Sequence, residues 1–165
     1  MLRLILFRHG KSSWDEPAGD DFSRPLAPRG LRSVPEMGRR LARRGHSPEL
    51  IVSSTALRAL STARAVAREI GYREEAIVES SDLYLASPDT ILAVIRRVPA
   101  SARTLMMIGH NPGLTELANM LGDVRLDNMP TAGMLCAEFD MQEWGGIEPA
   151  RSRFAWYDYP KKQPD

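Results

Sequence analysis

Residues 4–14 read LILFRHGKSSW, in which four apolar residues are followed at once by Arg8, His9 and Gly10. A short apolar run bounded by polar residues is typical of a buried strand. The strand predicted over Leu4–Phe7 therefore ends directly in a cation, an imidazole and a glycine. A cation and an imidazole at the end of a buried strand are candidates for binding a ligand.

The order of buried strand, polar loop and helix recurs along the chain. The pattern predicts further strands over Glu49–Ser53, Thr104–Gly109, Met134–Phe139 and Phe154–Tyr157, and helices over Ala56–Ile70, 87–97 and Leu114–Leu121. Residues 29–45 also have helical spacing, and Pro35 is predicted to delay or kink that helix. This alternation indicates an α/β layered fold with a largely parallel central sheet, in which ligands bind beyond the carboxyl ends of the strands.

The composition limits the classes of protein and partner. A length of 165 residues with 43% hydrophobic content predicts one domain over residues 1–159, followed by a mobile tail over 160–165. Lys and Arg total 22 against 21 for Asp and Glu, so no global charge attracts nucleic acid or a membrane, and neither partner is expected. Cys136 is the only cysteine, and no apolar run reaches transmembrane length. We therefore expect a soluble, cytoplasmic protein.

Three predicted strand ends carry groups that suit one anion. Arg8 and His9 follow the first strand, Arg58 follows the second through SSTALRA, and His110 follows the third within GHNPG. Parallel strands bring these ends to one edge of the sheet. Two guanidiniums and two imidazoles at one place offer donors that match the oxygens of a compact dianion. The sequence thus predicts a phosphate pocket, with Gly10 allowing a tight turn beside it.

The segments LFRHGKSSW, DFSRPLAPRG, IVSSTALRALSTA and MMIGHNPGL, in that order, resemble the histidine phosphatase superfamily, whose fold is phosphoglycerate-mutase-like. The likeness spans about residues 3–121, and the short chain with its RPL segment most resembles the SixA-type phosphohistidine phosphatase branch. It implies a three-layer α/β sandwich and a phosphatase that forms a phosphohistidine intermediate. It also implies that His9 attacks phosphorus while Arg8, Arg58 and His110 bind the phosphoryl oxygens.

This assignment is chemically reasonable. A neutral imidazole is a competent nucleophile near neutral pH, and we expect the second ring nitrogen of His9 to donate to a main-chain carbonyl, which would leave the first free to attack. The histidine spacing does not match metal-site motifs, so no metal or other cofactor is expected.

The sequence departs from the family pattern at one position. Similar short proteins often read LYEA where this chain reads LYLA, with Leu85 in place of an acid that protonates an ester's leaving oxygen. Asp82 and Asp89 flank the segment and are alternatives, although both are better interpreted as loop or helix-start carboxylates. Loss of the acid matters less for phosphohistidine, which releases a weakly basic imidazole.

Other residues have secondary interpretations. Gly10, Ser12, Arg24, Asn111 and Thr131 are candidate substrate-binding residues around the pocket. Trp14 is close enough in sequence to affect substrate entry. The basic run Arg39, Arg40, Arg43 and Arg44 is predicted to be a solvated helix face, His46 a turn residue, and Cys136 a strand residue rather than a nucleophile.

Three functions remain open from the sequence. The leading one is a metal-independent phosphatase acting on phosphohistidine in a phosphorylated protein. A broad phosphomonoesterase acting on small phosphorylated substrates is the second, and a module that binds phosphorylated ligands without turnover is the third. Turnover that requires His9 would separate the enzymes from the binding module.

Overall fold

A six-stranded sheet forms the centre of the protein in the computed structural model, which describes residues 1–14, 20–121 and 124–162. The strands are β1 (Leu2–Arg8), β2 (Leu50–Ser54), β3 (Val78–Ser80), β4 (Thr104–Gly109), β5 (Met134–Phe139) and β6 (Ser152–Asp158). The helices are α1 (Pro28–Arg44), α2 (Leu57–Ile70), α3 (Pro88–Arg96) and α4 (Gly113–Met120). The predicted α/β layered fold is confirmed, with element bounds that differ from the sequence prediction by a few residues.

The spatial strand order is β3-β2-β4-β1-β5-β6. Strands β3, β2, β4 and β1 pair in parallel, whereas β5 is antiparallel to both β1 and β6. In the parallel part Arg8 pairs with Gly109, so β1 and β4 end side by side. This register places the carboxyl ends of β1, β2 and β4 at one edge of the sheet.

Two apolar layers cover the sheet because side chains alternate along each buried strand. On β1, Leu4 and Leu6 face the core beneath α3 and α4, while Ile5 and Phe7 face the core beneath α1 and α2. All four side chains are fully buried. The result is the predicted three-layer sandwich.

Helix α1 differs from its prediction. It runs continuously from Pro28 through Pro35 to Arg44, so the predicted late start is wrong. Pro28 stands in the first turn, where a missing N–H removes no helical hydrogen bond. Of the loop predicted before this helix, residues 15–19 lie outside the described residues, as do residues 163–165 of the predicted mobile tail.

The short strand β3 was not predicted. It has only three residues, Val78–Ser80, and none of them is buried, so it has no apolar alternation for a sequence pattern to detect. Its position at the sheet edge rests on backbone pairing with β2.

Candidate active site

The three strand ends meet in one cleft, as their order in the sheet requires. The rings of His9 and His110 have centroids 5.2 Å apart. Arg58, in the first turn of α2, directs its Nε toward His9 Nε2 at 3.4 Å. The residues that the sequence predicted to converge therefore do so, and all three are almost fully buried.

His9 presents one nitrogen to the cleft and anchors the other. Its Nδ1 lies 2.7 Å from the carbonyl oxygen of Gly10. A carbonyl oxygen can only accept, so Nδ1 carries the hydrogen and Nε2 keeps its lone pair toward Arg58. Burial is the main cause that lowers the pKa of His9 to about 3, assisted by the positive groups nearby and opposed by the Gly10 hydrogen bond. At neutral pH His9 is an uncharged imidazole whose unprotonated Nε2 accepts a hydrogen bond from Arg58 Nε.

The loop that carries His9 is held by hydrogen bonds to α2 and by close packing of its main chain against α1. The N–H of Gly10 donates to Thr62 Oγ1, which itself donates to the carbonyl of Arg58, so β1 and α2 are joined beneath His9. A side chain at Gly30 of α1 would place its Cβ only 2.3 Å from the carbonyl oxygen of Lys11. Glycine is therefore required at position 30 for α1 to approach the loop this closely.

Arg58 is fixed by Asp21, a residue that the sequence analysis did not select. Arg58 Nη1 donates to the Asp21 carbonyl at 2.6 Å, and Nη2 donates to Asp21 Oδ2 at 2.9 Å. The hydroxyl of Tyr84 also donates to Asp21 Oδ2. The Tyr84 hydrogen bond and then the Arg58 guanidinium lower the pKa of Asp21, which is therefore a carboxylate at neutral pH.

His110 is oriented by Ser54 at the end of β2. Its Nε2 lies 2.7 Å from Ser54 Oγ, and the same oxygen accepts the N–H of Ala56. We assign the Ser54 hydroxyl hydrogen to the lone pair of His110 Nε2, which places the His110 hydrogen on Nδ1, the ring nitrogen without another hydrogen-bond partner. Burial and then Arg58 lower the pKa of His110 to about 4, so its ring is neutral and donates through Nδ1 alone.

Buried N–H groups without a partner are concentrated in this cleft. Within residues 1–14, 20–121 and 124–162, the buried side-chain nitrogens that lack a hydrogen-bond partner are Arg8 Nε, Arg24 Nε, Arg24 Nη1 and His110 Nδ1. An unsatisfied buried donor costs about 1–3 kcal/mol, so folded proteins rarely collect several in one place without a ligand to accept from them. These donors leave the cleft ready to bind an acceptor-rich anion.

The cleft has a volume of about 270 Å³. It is lined by Arg8, His9, Lys11, Ser12, Trp14, Asp21, Arg24, Arg58, Leu85, His110, Asn111 and Thr131. All predicted site residues except Gly10 are in this set. Gly10 instead makes backbone contacts below the cleft: its carbonyl oxygen accepts from His9 Nδ1, and its N–H donates to Thr62 Oγ1. A Cβ at this position would lie 2.5 Å from Val34.

Two predicted binding residues make mainly internal contacts. Ser12 Oγ accepts from Arg24 Nη2 at 2.6 Å and so holds that guanidinium over the cleft. The Asn111 amide donates to Met129 O, and its Oδ1 accepts the N–H of Thr115 in the first turn of α4. The N–H of Thr115 is therefore already used within the protein.

Two exposed apolar side chains, Trp14 and Leu85, are among those that line the cleft. Trp14 is 74% exposed and stacks on the Arg24 guanidinium at 3.4 Å from its ring centroid. Leu85 is 56% exposed and has a positive φ of 48°, a conformation that branched aliphatic residues rarely adopt. Neither side chain can transfer a proton to a leaving group.

The alternative acids and nucleophiles lie elsewhere. Asp82 forms an exposed ion pair with Arg97, and neither Asp82 nor Asp89 lines the cleft. His46 accepts from Trp156 Nε1 near α1. Cys136 lies in β5, which confirms it as a strand residue. It is buried, and burial raises the pKa of its thiol to about 12.

The solvated-face prediction for the basic run is wrong for Arg40. Arg40 Nη1 donates to Asp158 Oδ1 and to the carbonyl of Tyr159, so its side chain is mostly buried. Arg43, by contrast, remains exposed beside Glu36. The sequence does not show that Arg40 is buried and Arg43 exposed, because Asp158, the partner of Arg40, lies more than a hundred positions away.

Comparison with known proteins gives consistent matches. Residues 4–83 match the family described as histidine phosphatase superfamily (branch 1). A solved structure from Agrobacterium tumefaciens, assigned to the SixA phosphohistidine phosphatases, is 27% identical and has a TM-score of 0.79, over 96% of this chain and 99% of that one. A SixA-assigned protein from Nakamurella multipartitia is 25% identical with a TM-score of 0.79, over 98% and 97% of the chains. The uncharacterized protein MT1313 of Mycobacterium tuberculosis is 27% identical over 93% of this chain and 99% of its own length.

Among residues 1–14, 20–121 and 124–162, no group of three or more His, Cys, Asp or Glu side chains is arranged to hold a metal ion. In the same part of the chain, no helix has both the length and the apolar character needed to cross a membrane.

Proposed function

Because the chain belongs to the histidine phosphatase superfamily, in its SixA-type branch, we propose that this phosphatase removes the phosphoryl group from phosphohistidine on a protein, through a covalent intermediate on His9. The observation that carries the proposal is the set of buried side-chain nitrogens without a hydrogen-bond partner in the same cleft as the unprotonated Nε2 of His9. These donors match the oxygens of a phosphoryl group in transfer.

In the first step, the His9 Nε2 lone pair attacks phosphorus as the P–N bond of the substrate breaks. A substrate imidazole that is protonated on its other nitrogen leaves as neutral imidazole, so no protein acid has to supply a proton. Arg8, Arg58 and the Nδ1–H of His110 stabilise charge on the equatorial oxygens. In the second step water attacks the phosphoryl group, His9 regains its lone pair and inorganic phosphate is released.

The rim of the cleft favours phosphohistidine over an alkyl ester. An alkoxide needs a proton as it leaves, whereas imidazole is a far weaker base. Leu85 stands where similar proteins often carry an acid, and the Asp21 carboxylate is held ionised by Tyr84 and Arg58. A P–N substrate is therefore the one whose leaving group this cleft can release unaided.

The decisive experiment is rapid-quench intact mass spectrometry after mixing with a histidine-phosphorylated peptide, quenched at alkaline pH because phosphohistidine is acid-labile. We expect a transient single-phosphate adduct on His9 that decays as phosphate is released. His9→Ala should show neither adduct nor turnover. His46→Ala, a histidine outside the cleft, should behave as wild type and serves as the matched control.

Two other results would replace the proposal. Peptide binding with neither adduct nor release would identify a binding module. Faster hydrolysis of simple alkyl phosphates than of the peptide, under matched conditions, would identify a broad phosphomonoesterase.

A further inference from the structure

A second groove of about 470 Å³ lies beside the cleft. Three segments form it: the first turns of α1 with Arg29 and Ser33, the loop Pro130–Thr131 before β5, and residues 159–161 after β6. Thr131 lines both the groove and the cleft, so it forms the wall between them. A ligand whose phosphoryl group occupies the cleft can extend past Thr131 into the groove.

The shared wall is joined to the nucleophile by backbone hydrogen bonds. The N–H of Ala132 donates to the carbonyl oxygens of Arg8 and His9, both at 3.0 Å. Ala132 adopts a positive φ of 61°, and Gly133 accepts the N–H of Arg8. The distance between the groove and His9 is therefore set by the main chain and not by mobile side chains.

The opposite wall is held by Arg40 from α1. Its Nη1 donates to the carbonyl of Tyr159 at 3.0 Å, and its Nη2 donates to the carbonyl of Pro160 at 3.1 Å. The ion pair of Arg40 with buried Asp158 fixes the guanidinium itself. These contacts hold the segment after β6 against α1, so the groove is already formed before a ligand arrives.

The chemistry of the groove combines an apolar surface with unpaired positive charge. Pro130, Pro160 and the Tyr159 ring supply the apolar surface, and among residues 1–14, 20–121 and 124–162 no carboxylate lines the groove. The cations are Arg29 and Lys161, both exposed; in the part of the chain that the structure describes, neither has a carboxylate within ion-pair distance. Groups of this kind attract an acidic ligand that also offers apolar contact.

We propose that this groove binds the polypeptide that flanks the phosphohistidine, and that it favours substrates with acidic residues beside the phosphorylated histidine. The inference rests on the proposed function, because only a phosphoryl group held at His9 fixes where the rest of the substrate lies. A polypeptide is the occupant favoured here, because a small phosphorylated compound held in the cleft has little left to extend past Thr131.

The test compares three probes: a histidine-phosphorylated peptide flanked by glutamates, the same peptide flanked by serines, and phosphoimidazole as the substrate without a polypeptide. In wild type we expect the highest kcat/KM for the glutamate peptide. The double variant Arg29→Glu/Lys161→Glu should lower the ratio of kcat/KM for the glutamate peptide to that for phosphoimidazole about fivefold or more, mainly through KM. Arg32→Glu reverses an exposed charge of α1 outside the groove and should lower this ratio far less.

The two possible failures are distinguishable. If wild type hydrolyses all three probes and the double variant keeps the wild-type ratio, the groove does not hold the polypeptide and the inference is overturned, while the proposed function stands. If wild type hydrolyses none of the probes, the proposed function fails and the groove inference fails with it. Equal loss in the double variant and in Arg32→Glu would show a general charge effect and would also overturn the inference.

Discussion

Ser54 Oγ lies 2.7 Å from His110 Nε2, so Nε2 is already used and Nδ1 is the ring nitrogen of His110 that is left for a ligand. The Ser54 hydroxyl accepts the N–H of Ala56 and is assigned as the donor to Nε2, so the His110 hydrogen is on Nδ1, where it faces the ligand. A buried serine two elements away from the nucleophile thus determines whether the cleft presents a donor or an acceptor to an oxyanion.

Ser54→Ala should lower kcat/KM about tenfold, since one hydrogen bond worth about 1–1.5 kcal/mol no longer selects the donating tautomer. The affinity for inorganic phosphate, measured by calorimetry, should weaken in parallel. Ser53→Ala is the matched control, because Ser53 is equally buried but donates to a main-chain carbonyl and not to His110. Equal losses in both variants would attribute the effect to packing and contradict the tautomer argument.

The low pKa values of His9 and His110 can be observed directly. In the free protein, the imidazole carbon-bound proton signals of both residues should not titrate between about pH 8 and pH 5, because their pKa values are about 3 and about 4. Saturating phosphate should raise both pKa values by supplying negative charge. NMR assignment through His9→Gln and His110→Gln identifies the signals; a midpoint near the reference value of about 6.5 for either would contradict the structure.

The same histidines should make stability fall with acid. Both pKa values lie below the unfolded value of about 6.5, so on acidification the unfolded chain takes up protons that the folded chain does not. The free energy of unfolding should therefore fall from about pH 7 to about pH 5, by at most about 1.4 kcal/mol per pH unit for each histidine. Urea titrations at several pH values test this, and His110→Gln should show a shallower dependence than wild type.

Leu85→Glu should restore a leaving-group acid. The position lines the cleft and is exposed, so a carboxyl there can reach the leaving oxygen of an ester. Hydrolysis of an alkyl phosphate should rise about tenfold relative to Leu85→Gln, which has the same shape without the acid. Steady-state assays at mildly acidic pH measure the ratio, and equal activities of the two variants would show that position 85 does not face the leaving group.

Arg40→Ala should destabilise the fold more than any other change in its basic run. It leaves the buried carboxylate of Asp158 with the N–H of Tyr159 and the longer contact from Arg44, and it frees the segment after β6. We expect a loss of about 2–3 kcal/mol in the free energy of unfolding, measured by urea denaturation. Arg43→Ala removes an exposed partner of Glu36 and should change it by less than about 0.5 kcal/mol.

The sequence predicted the parts of the site that follow directly from strand order. Arg8, His9 and His110 each stand at or just beyond the end of a strongly apolar strand, so local patterning placed them at one sheet edge before any contact was known. The core strands were found for the same reason. The edge strand β3 was missed because none of its residues is buried.

The supporting residues could not be predicted in the same way. Asp21 reaches Arg58 across 37 positions, and its role depends on a loop conformation that no periodicity encodes. Ser54 was inside the SSTALRA segment, and its place at the end of β2 was a usable signal, but its partner His110 is 56 positions away. Such contacts belong to tertiary structure, and only the folded chain pairs them.

Positions 29 and 30 of α1 differ in the substitutions that they can accept. Any side chain at position 30 would collide with the main chain of the nucleophile loop, whereas its neighbour Arg29 points into the open groove. In a library of random substitutions selected for folded enzyme, position 30 should return almost only glycine while position 29 should return many residues. Substitution at position 29 can thus change what the groove binds, one residue away from the glycine that holds α1 against the loop of His9.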